Sequence, residues 1–154
     1  MVQAVPAAYP GVTSYLIVRD AARAFTFYQE AFGATPALRL DGPDGRIAHA
    51  ELVIAGGHIM MSEENLEMGY KSAQTLGGSP IHLMFYVPDV DAAFARAIEA
   101  GATEHRAVQD QFYGDRSGTL ADPFGILWTI ATHVEDVSED EVKRSMAAMM
   151  GGAQ

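Results

Sequence analysis

The chain has 154 residues, 49% of them apolar and 19% charged, enough to bury the core of one compact domain or of two small modules. It contains no cysteine, which excludes disulfides, thiolate zinc sites and thiol nucleophiles. Its formal net charge of −10 disfavours nucleic acid and anionic membrane surfaces as partners.

Met1 to Pro10 carries no basic segment and no long apolar run, so it does not read as a secretion signal. No stretch approaches the ~20 apolar residues of a membrane span. Cytoplasmic is the expected location. Val12 to Val18 reads as a strand. A helix follows, with Asp20 as N-cap, an apolar stripe of Ala24, Phe27, Tyr28, Ala31 and Phe32, and Gly33 as terminator. Strands are predicted at Ala37 to Leu40, Arg46 to Ile54 and His58 to Ser62. Glu63 to Ser79 lacks periodicity and either covers a pocket or only spans a distance.

The pattern then returns at an offset of 69. Val18-Arg19-Asp20 maps to Val87-Pro88-Asp89, Ala24-Phe25 to Ala93-Phe94, and Gly45 to Gly114. Ile81 to Val87 is a strand, and Val90 to Ala100 a helix whose apolar residues fall at i, i+3, i+4, i+7 and i+8. Strands follow at Thr103 to Val108, Asp115 to Ala121 and Ile126 to Thr132, with Asp122-Pro123-Phe124-Gly125 turning between the last two. A twofold repeat of this length means two copies of one supersecondary unit, with a ligand expected in the groove they build together. The fold class is α+β, a single domain over 1–154. It comprises βαβββ modules at 12–62 and 80–132, a linker at 63–79 and a tail at 133–154. Ser138-Glu139-Asp140-Glu141 fits a capping box for a helix to about Met149. Met146, Met149 and Met150 suit packing on this domain, the favoured reading, or on a second subunit.

Two such units, Val-x-Asp before each helix, Tyr113-Gly114-Asp115-Arg116-Ser117-Gly118, Asp122-Pro123-Phe124-Gly125 and Trp128-x-Ile130-Ala131-Thr132-His133 resemble the vicinal oxygen chelate superfamily. That superfamily includes glyoxalase I, extradiol dioxygenases and bleomycin-resistance proteins, and the likeness is nearest to its PhnB-like branch. The resemblance implies sheets that curve around a cavity with the helices on the convex side, and a homodimer. It also implies four metal-ligand positions facing the cavity. In this sequence they read Thr13, Met60, His82 and Thr129. A divalent ion there would polarise substrate oxygens, but one imidazole among two hydroxyls and a thioether is a poor donor set. Three protein ligands are usual for catalytic zinc. No cofactor is therefore expected. A non-standard metal set would draw on His82 with His49, Glu51 or His58. The bland alternative pairs the strand residues His49 and Glu51 with each other or with solvent.

Alternation from this register places Thr13, Tyr15, Met60 and His82 on the cavity face, with Met84, Tyr86, Leu127 and Thr129. Leu16, Val18, Leu83, Phe85, Trp128 and Ile130 should face the helices. Ala48, Ala50, Leu52 and Ile54 look like helix-packing positions, which aims His49 and Glu51 at the cavity or its rim. His105 and His133 read as surface residues. Arg116 either holds a ligand carboxylate at the pocket mouth or fixes the local turn. An apolar, aromatic pocket with a few hydroxyls suits a small organic molecule. The leading expectation is thus a metal-free superfamily member that binds such a molecule. The alternatives are a metal-dependent lyase, isomerase or dioxygenase, and a metal-free acid–base enzyme with His82 as base and Tyr15 or Tyr86 as donor.

Overall fold

In the computed structural model, which describes residues 1–152, each half of the chain folds as strand, helix and three strands. The first half comprises β1 (Ser14–Val18), α1 (Ala21–Phe32), β2 (Thr35–Asp41), β3 (Ile47–Ile54) and β4 (Gly57–Glu63). A short helix, α2 (Ala73–Leu76), interrupts the connection. The second half comprises β5 (His82–Tyr86), α3 (Val90–Ala100), β6 (Thr103–Asp110), β7 (Asp115–Ala121) and β8 (Leu127–His133), and α4 (Glu139–Gly151) follows. The fold is α+β, with two four-stranded mixed sheets of equivalent order, β1-β4-β3-β2 and β5-β8-β7-β6.

The repeated sequence makes repeated contacts. Asp20 and Asp89 each cap a helix by accepting from the backbone N–H three residues on, at Arg23 and Ala92. Gly33 ends α1 at φ 66°, where a side chain would be strained. The first N–H groups of each helix are also met from the last strand of its own sheet. Glu63 accepts from Asp20 and Ala21, and Thr132 accepts from Val90. These two residues are 69 positions apart, so different side chains fill one role.

One face of each sheet is closed by the helices. Leu16, Val18, Leu52, Met61, Trp128 and Ile130 are buried there, and Leu83 and Phe85 pack against the same core. The helices also join the halves. Arg96 on α3 donates to the carbonyls of Glu30 and Gln29 at the end of α1, at 2.7 and 3.2 Å. Tyr28 and Phe32 of α1 lie against Trp128, with ring centroids 5.4 and 4.8 Å apart.

At the centre of this contact is Asp122, which is 5% exposed. Its carboxylate accepts from Tyr28 Oη at 2.7 Å, Trp128 Nε1 at 2.9 Å and the backbone N–H groups of Phe124 and Ile126, both at 2.9 Å. Burial pushes the Asp122 carboxyl up, against donors that hold it ionised. The Asp-Pro-Phe-Gly turn is thereby bonded to the first half's helix.

Within the linker, Ser72 caps α2, and Asn65 pairs with Tyr70. Two expectations are corrected. The tail helix does not pack on its own domain. None of its residues is buried, and Met146, Met149 and Met150 are 45%, 61% and 71% exposed. Ala48 does not face the helices, because a register shift near Leu40/Asp41 turns Ile47 inward instead.

Asp122→Ala leaves an indole N–H, a phenol and two backbone N–H groups without their acceptor. The expected loss is about 3 kcal/mol or more, read as a lower denaturation midpoint at unchanged m-value. Tyr28→Phe removes one donor and should cost a fraction of that.

Candidate functional site

The other face of each sheet is open. Tyr15 is 47% exposed, Met84 47% and Tyr86 53%. On the first sheet, strand pairing sets Tyr15 beside Met60 and Met60 beside Glu51, so these three form one row across β1, β4 and β3. His49, two residues before Glu51, shares its face.

These polar groups are joined. Tyr15 Oη lies 2.8 Å from His49 Nδ1, and His49 Nε2 lies 2.9 Å from Glu51 Oε1. Tyr9, in the segment before β1, donates its hydroxyl to Glu51 Oε2, and its ring lies tilted against His58 at 4.9 Å between ring centroids. The donors His49 and Tyr9 hold the Glu51 carboxyl below the usual carboxylate range, and the same bond raises the Tyr9 hydroxyl. An ionised Glu51 only accepts. A neutral His49 must then carry its proton on Nε2, leaving Nδ1 to accept from the Tyr15 hydroxyl. The carboxylate thus sets the direction of every bond in the chain.

Tyr15 opens into a cleft of about 1050 Å³. Its floor includes Ile17 and Ser62. Its lining also includes Gly42, Asp44 and Arg46 of the β2–β3 turn, Glu63 at the end of β4, and residues 64–68 of the linker. Glu64 anchors that linker: Thr75 and then Ser72 pull its carboxyl down to about 2, and it accepts from the Ser72 N–H and hydroxyl at 2.7 and 2.8 Å. A second cleft of about 520 Å³ lies where β1 approaches β5, between Thr13, Tyr15, Leu83 and Ile126.

The second sheet carries a different chain of bonds. Tyr86 donates to Asp115 at 2.6 Å. His133 bridges Asp115 and Asp136 at 2.8 and 2.9 Å, and those two carboxylates raise its pKa. His133 is therefore tied into the fold, although its ring is half exposed.

Not all the expected site residues meet. Tyr15 lines both clefts and Thr13 the smaller one, whereas His82, Met84, Tyr86 and Thr129 line neither. Thr129 is bonded to Thr119 at 2.8 Å, and Leu127 pairs with His82 along β5 and β8. His82 is exposed and bonds to neither Tyr15 nor Tyr86, whose hydroxyls are turned to His49 and Asp115. Arg116 is not at a pocket mouth. It reaches to the helix side of β7, where Asp91 holds it bidentately at 2.8 and 2.9 Å and Asp110 holds it at 3.0 Å. The four metal-register positions do not fit an ion, since they offer one imidazole, two hydroxyls and a thioether. Among the described residues, no three His, Asp or Glu side chains converge as ligands. Tyr9 and the linker wall escape sequence reasoning because a coil residue reaching Glu51 from 42 positions away leaves no periodic signal.

Residues 10–130 match the Glyoxalase/Bleomycin resistance protein/Dioxygenase superfamily. The chain belongs to this superfamily. A Mycobacterium tuberculosis (strain H37Rv) protein described as uncharacterized is 42% identical over 146 residues, covering 93% of this chain and 86% of its own. Among solved structures, TioX from Micromonospora sp. ML1 superposes with a TM-score of 0.64 at 27% identity, over 83% of this chain and 99% of its own. The fosfomycin resistance protein FosX of Listeria monocytogenes, solved with Mn(II) and sulfate, shares the superfamily fold at TM-score 0.61 and 22% identity, over 89% of this chain and 98% of its own. No helix among the described residues is long and apolar enough to cross a membrane.

The Tyr9–Glu51 link gives a pH prediction with a definite sign. Because the folded Glu51 carboxyl is depressed, its contribution is present at neutral pH and lost as pH falls through that lowered value. The raised Tyr9 hydroxyl keeps its contribution until pH rises past the ordinary tyrosine range. The Tyr9 ring resonances should therefore shift at both extremes and hold between them, and Glu51→Gln should abolish the acid transition.

Proposed function

We propose that this member of the superfamily works without a family-type metal and binds a small organic molecule on its open sheet face. The observation that carries this is the register Thr13, Met60, His82, Thr129. Where a chelated ion would need several nitrogen or carboxylate donors, the chain supplies one imidazole. The carboxylate and second imidazole nearest that register, Glu51 and His49, are engaged with each other and with tyrosines. The 1050 Å³ cleft is at the upper end of the size range of small-molecule sites, and Tyr15, Ile17, Leu66, Met68 and Tyr70 give it apolar and aromatic walls.

The reading includes a second copy of the chain as partner. Met84 and Tyr86 leave large apolar area in water on the second sheet's open face, more than a single scattered surface residue would. A homodimer that covers that face would remove it and leave the first-module cleft free. The PhnB-like branch is the placement we favour within the superfamily, on the Tyr113–Gly118 and Asp122–Gly125 segments.

A thermal-shift screen of small aromatic and heterocyclic compounds, run with and without added divalent metals, tests the proposal. Stabilisation should come from organic compounds and be indifferent to metal. One tightly held divalent ion per chain in protein purified without chelators, lost in His82→Ala, would overturn it.

A further inference from the structure

We propose that Tyr15, His49 and Glu51 form a proton-accepting relay, with Tyr15 as the catalytic residue that takes a proton from a small neutral carbon or oxygen acid bound in the first-module cleft. The inference rests on the reading of that open face as a metal-free binding site and names its substrate class.

The bond order is that of hydroxyl, imidazole and carboxylate in nucleophile-activating triads, with a phenol in place of the alcohol. Glu51 fixes the His49 tautomer, and His49 Nδ1 accepts from Tyr15 at 2.8 Å. With its hydrogen committed to His49, Tyr15 Oη keeps lone pairs free to accept from a molecule in the cleft that Tyr15 lines. When a substrate X–H gives its proton to Tyr15 Oη, the Tyr15 proton passes to His49 Nδ1. The resulting imidazolium lies against the Glu51 carboxylate, so the positive charge forms where a negative one waits. The substrate is left as its conjugate base, and no oxidant or metal enters the balance. Tyr9, donating to the other Glu51 oxygen, keeps that carboxylate from turning away.

Two observations separate the relay from ordinary surface bonding. The equivalent row of the second sheet, set by the same strand pairing, reads Met84, Thr129, Thr119, and that sheet's own polar chain puts the Asp115 carboxylate between the Tyr86 phenol and the His133 imidazole. The fold therefore does not impose the order phenol, imidazole, carboxylate. The relay's outer end is also placed to meet a ligand: Tyr15 is 47% exposed and part of the cleft lining, while the His49 and Glu51 side chains behind it are 25% and 16% exposed. The cleft's charge chooses the substrate. Asp44, Glu63, Glu64 and Glu67 line it against Arg19 and Arg46, which sit 3.6 Å from Glu64 and 3.9 Å from Asp44. A pre-formed anion is repelled there, so the acid must arrive neutral.

Base-catalysed opening of 5-nitrobenzisoxazole is the probe. Removing its ring C–H proton forms a nitrile and breaks the N–O bond, releasing a yellow cyanonitrophenolate. The full-length protein should accelerate this with saturation, and chelator should not matter. Tyr15→Phe keeps the ring and should lower kcat about a hundredfold at a KM within about twofold of wild type. His49→Gln should do the same, and Glu51→Gln should lower kcat with KM unchanged, a split that mere loss of structure does not give. Circular dichroism confirms that each variant is folded. Absence of saturable acceleration in the wild type, or full rate in Tyr15→Phe or His49→Gln, overturns the relay. Loss of rate in Glu67→Gln with Tyr15→Phe unaffected reassigns the base to a cleft carboxylate and also overturns it. If thermal stabilisation by organic compounds survives any of these results, the binding function stands and only the proton transfer falls.

Discussion

A carboxylate with four donors and almost no solvent holds the two halves in one relation. Asp122 belongs to the turn before β8, yet one of its partners is the Tyr28 hydroxyl, 94 residues earlier on the first helix. Its ionised form is costly to bury, and each donor repays part of that cost only while the helix, the turn and the indole stay in place. Around it, Phe27, Tyr28 and Phe32 interlock with Phe85, Phe124 and Trp128 at centroid distances that favour edge and tilted contacts. Slippage of one half against the other would break the polar centre and the aromatic shell together.

This constraint acts on one side of each sheet. The helix-facing residues of both halves are apolar and share a core, and there the two copies stay alike. The open faces carry no such obligation, and they have diverged. Tyr15 corresponds to Met84 and Met60 to Thr129, and by pairing Glu51 stands where Thr119 does. Even a conserved task changed hands where the chemistry allowed, as Glu63 and Thr132 show at the two helix starts. Duplication has left a symmetric frame whose two open faces carry different chains of bonds, Tyr15–His49–Glu51 on one and Tyr86–Asp115–His133 on the other.

The frame was legible because its signals are periodic. Asp20 and Asp89, Gly33 and Gly101, and the i, i+3, i+4 stripes mark helix ends and faces by local rules, and alternation along strands separates Leu16 from Tyr15. What could not be read is whatever depends on a long reach. The Tyr28–Asp122 bond, the Tyr9–Glu51 bond and the Arg116–Asp91 pair join residues far apart in sequence, by rotamers that no spacing encodes. Arg116 is the clearest case. Its place after Asp115 in a glycine-rich strand start suits a pocket mouth equally well, and only the pleat, which points it to the helix side, decides against that. Ala48 failed for a related reason, since a single register shift reverses the alternation beyond it.

The same geometry decides what the polar groups of the first sheet's open face bond to. Met60 occupies a position from which the family register would aim a ligand at an ion, and its thioether offers little to a hard cation. Its row neighbours, Tyr15 and Glu51, flank it on both sides with His49 alongside. In a chelating site, a histidine and a carboxylate so close to the ion would compete for it or be drawn into its shell. Here their partners are each other and the nearby phenols, and a carboxylate that accepts from His49 and Tyr9 at once is held in orientation. The bonds that remain run in one direction, from Tyr15 to His49 to Glu51. A chain of polarised donors ending in an anion is itself a stabiliser of positive charge on the imidazole between them.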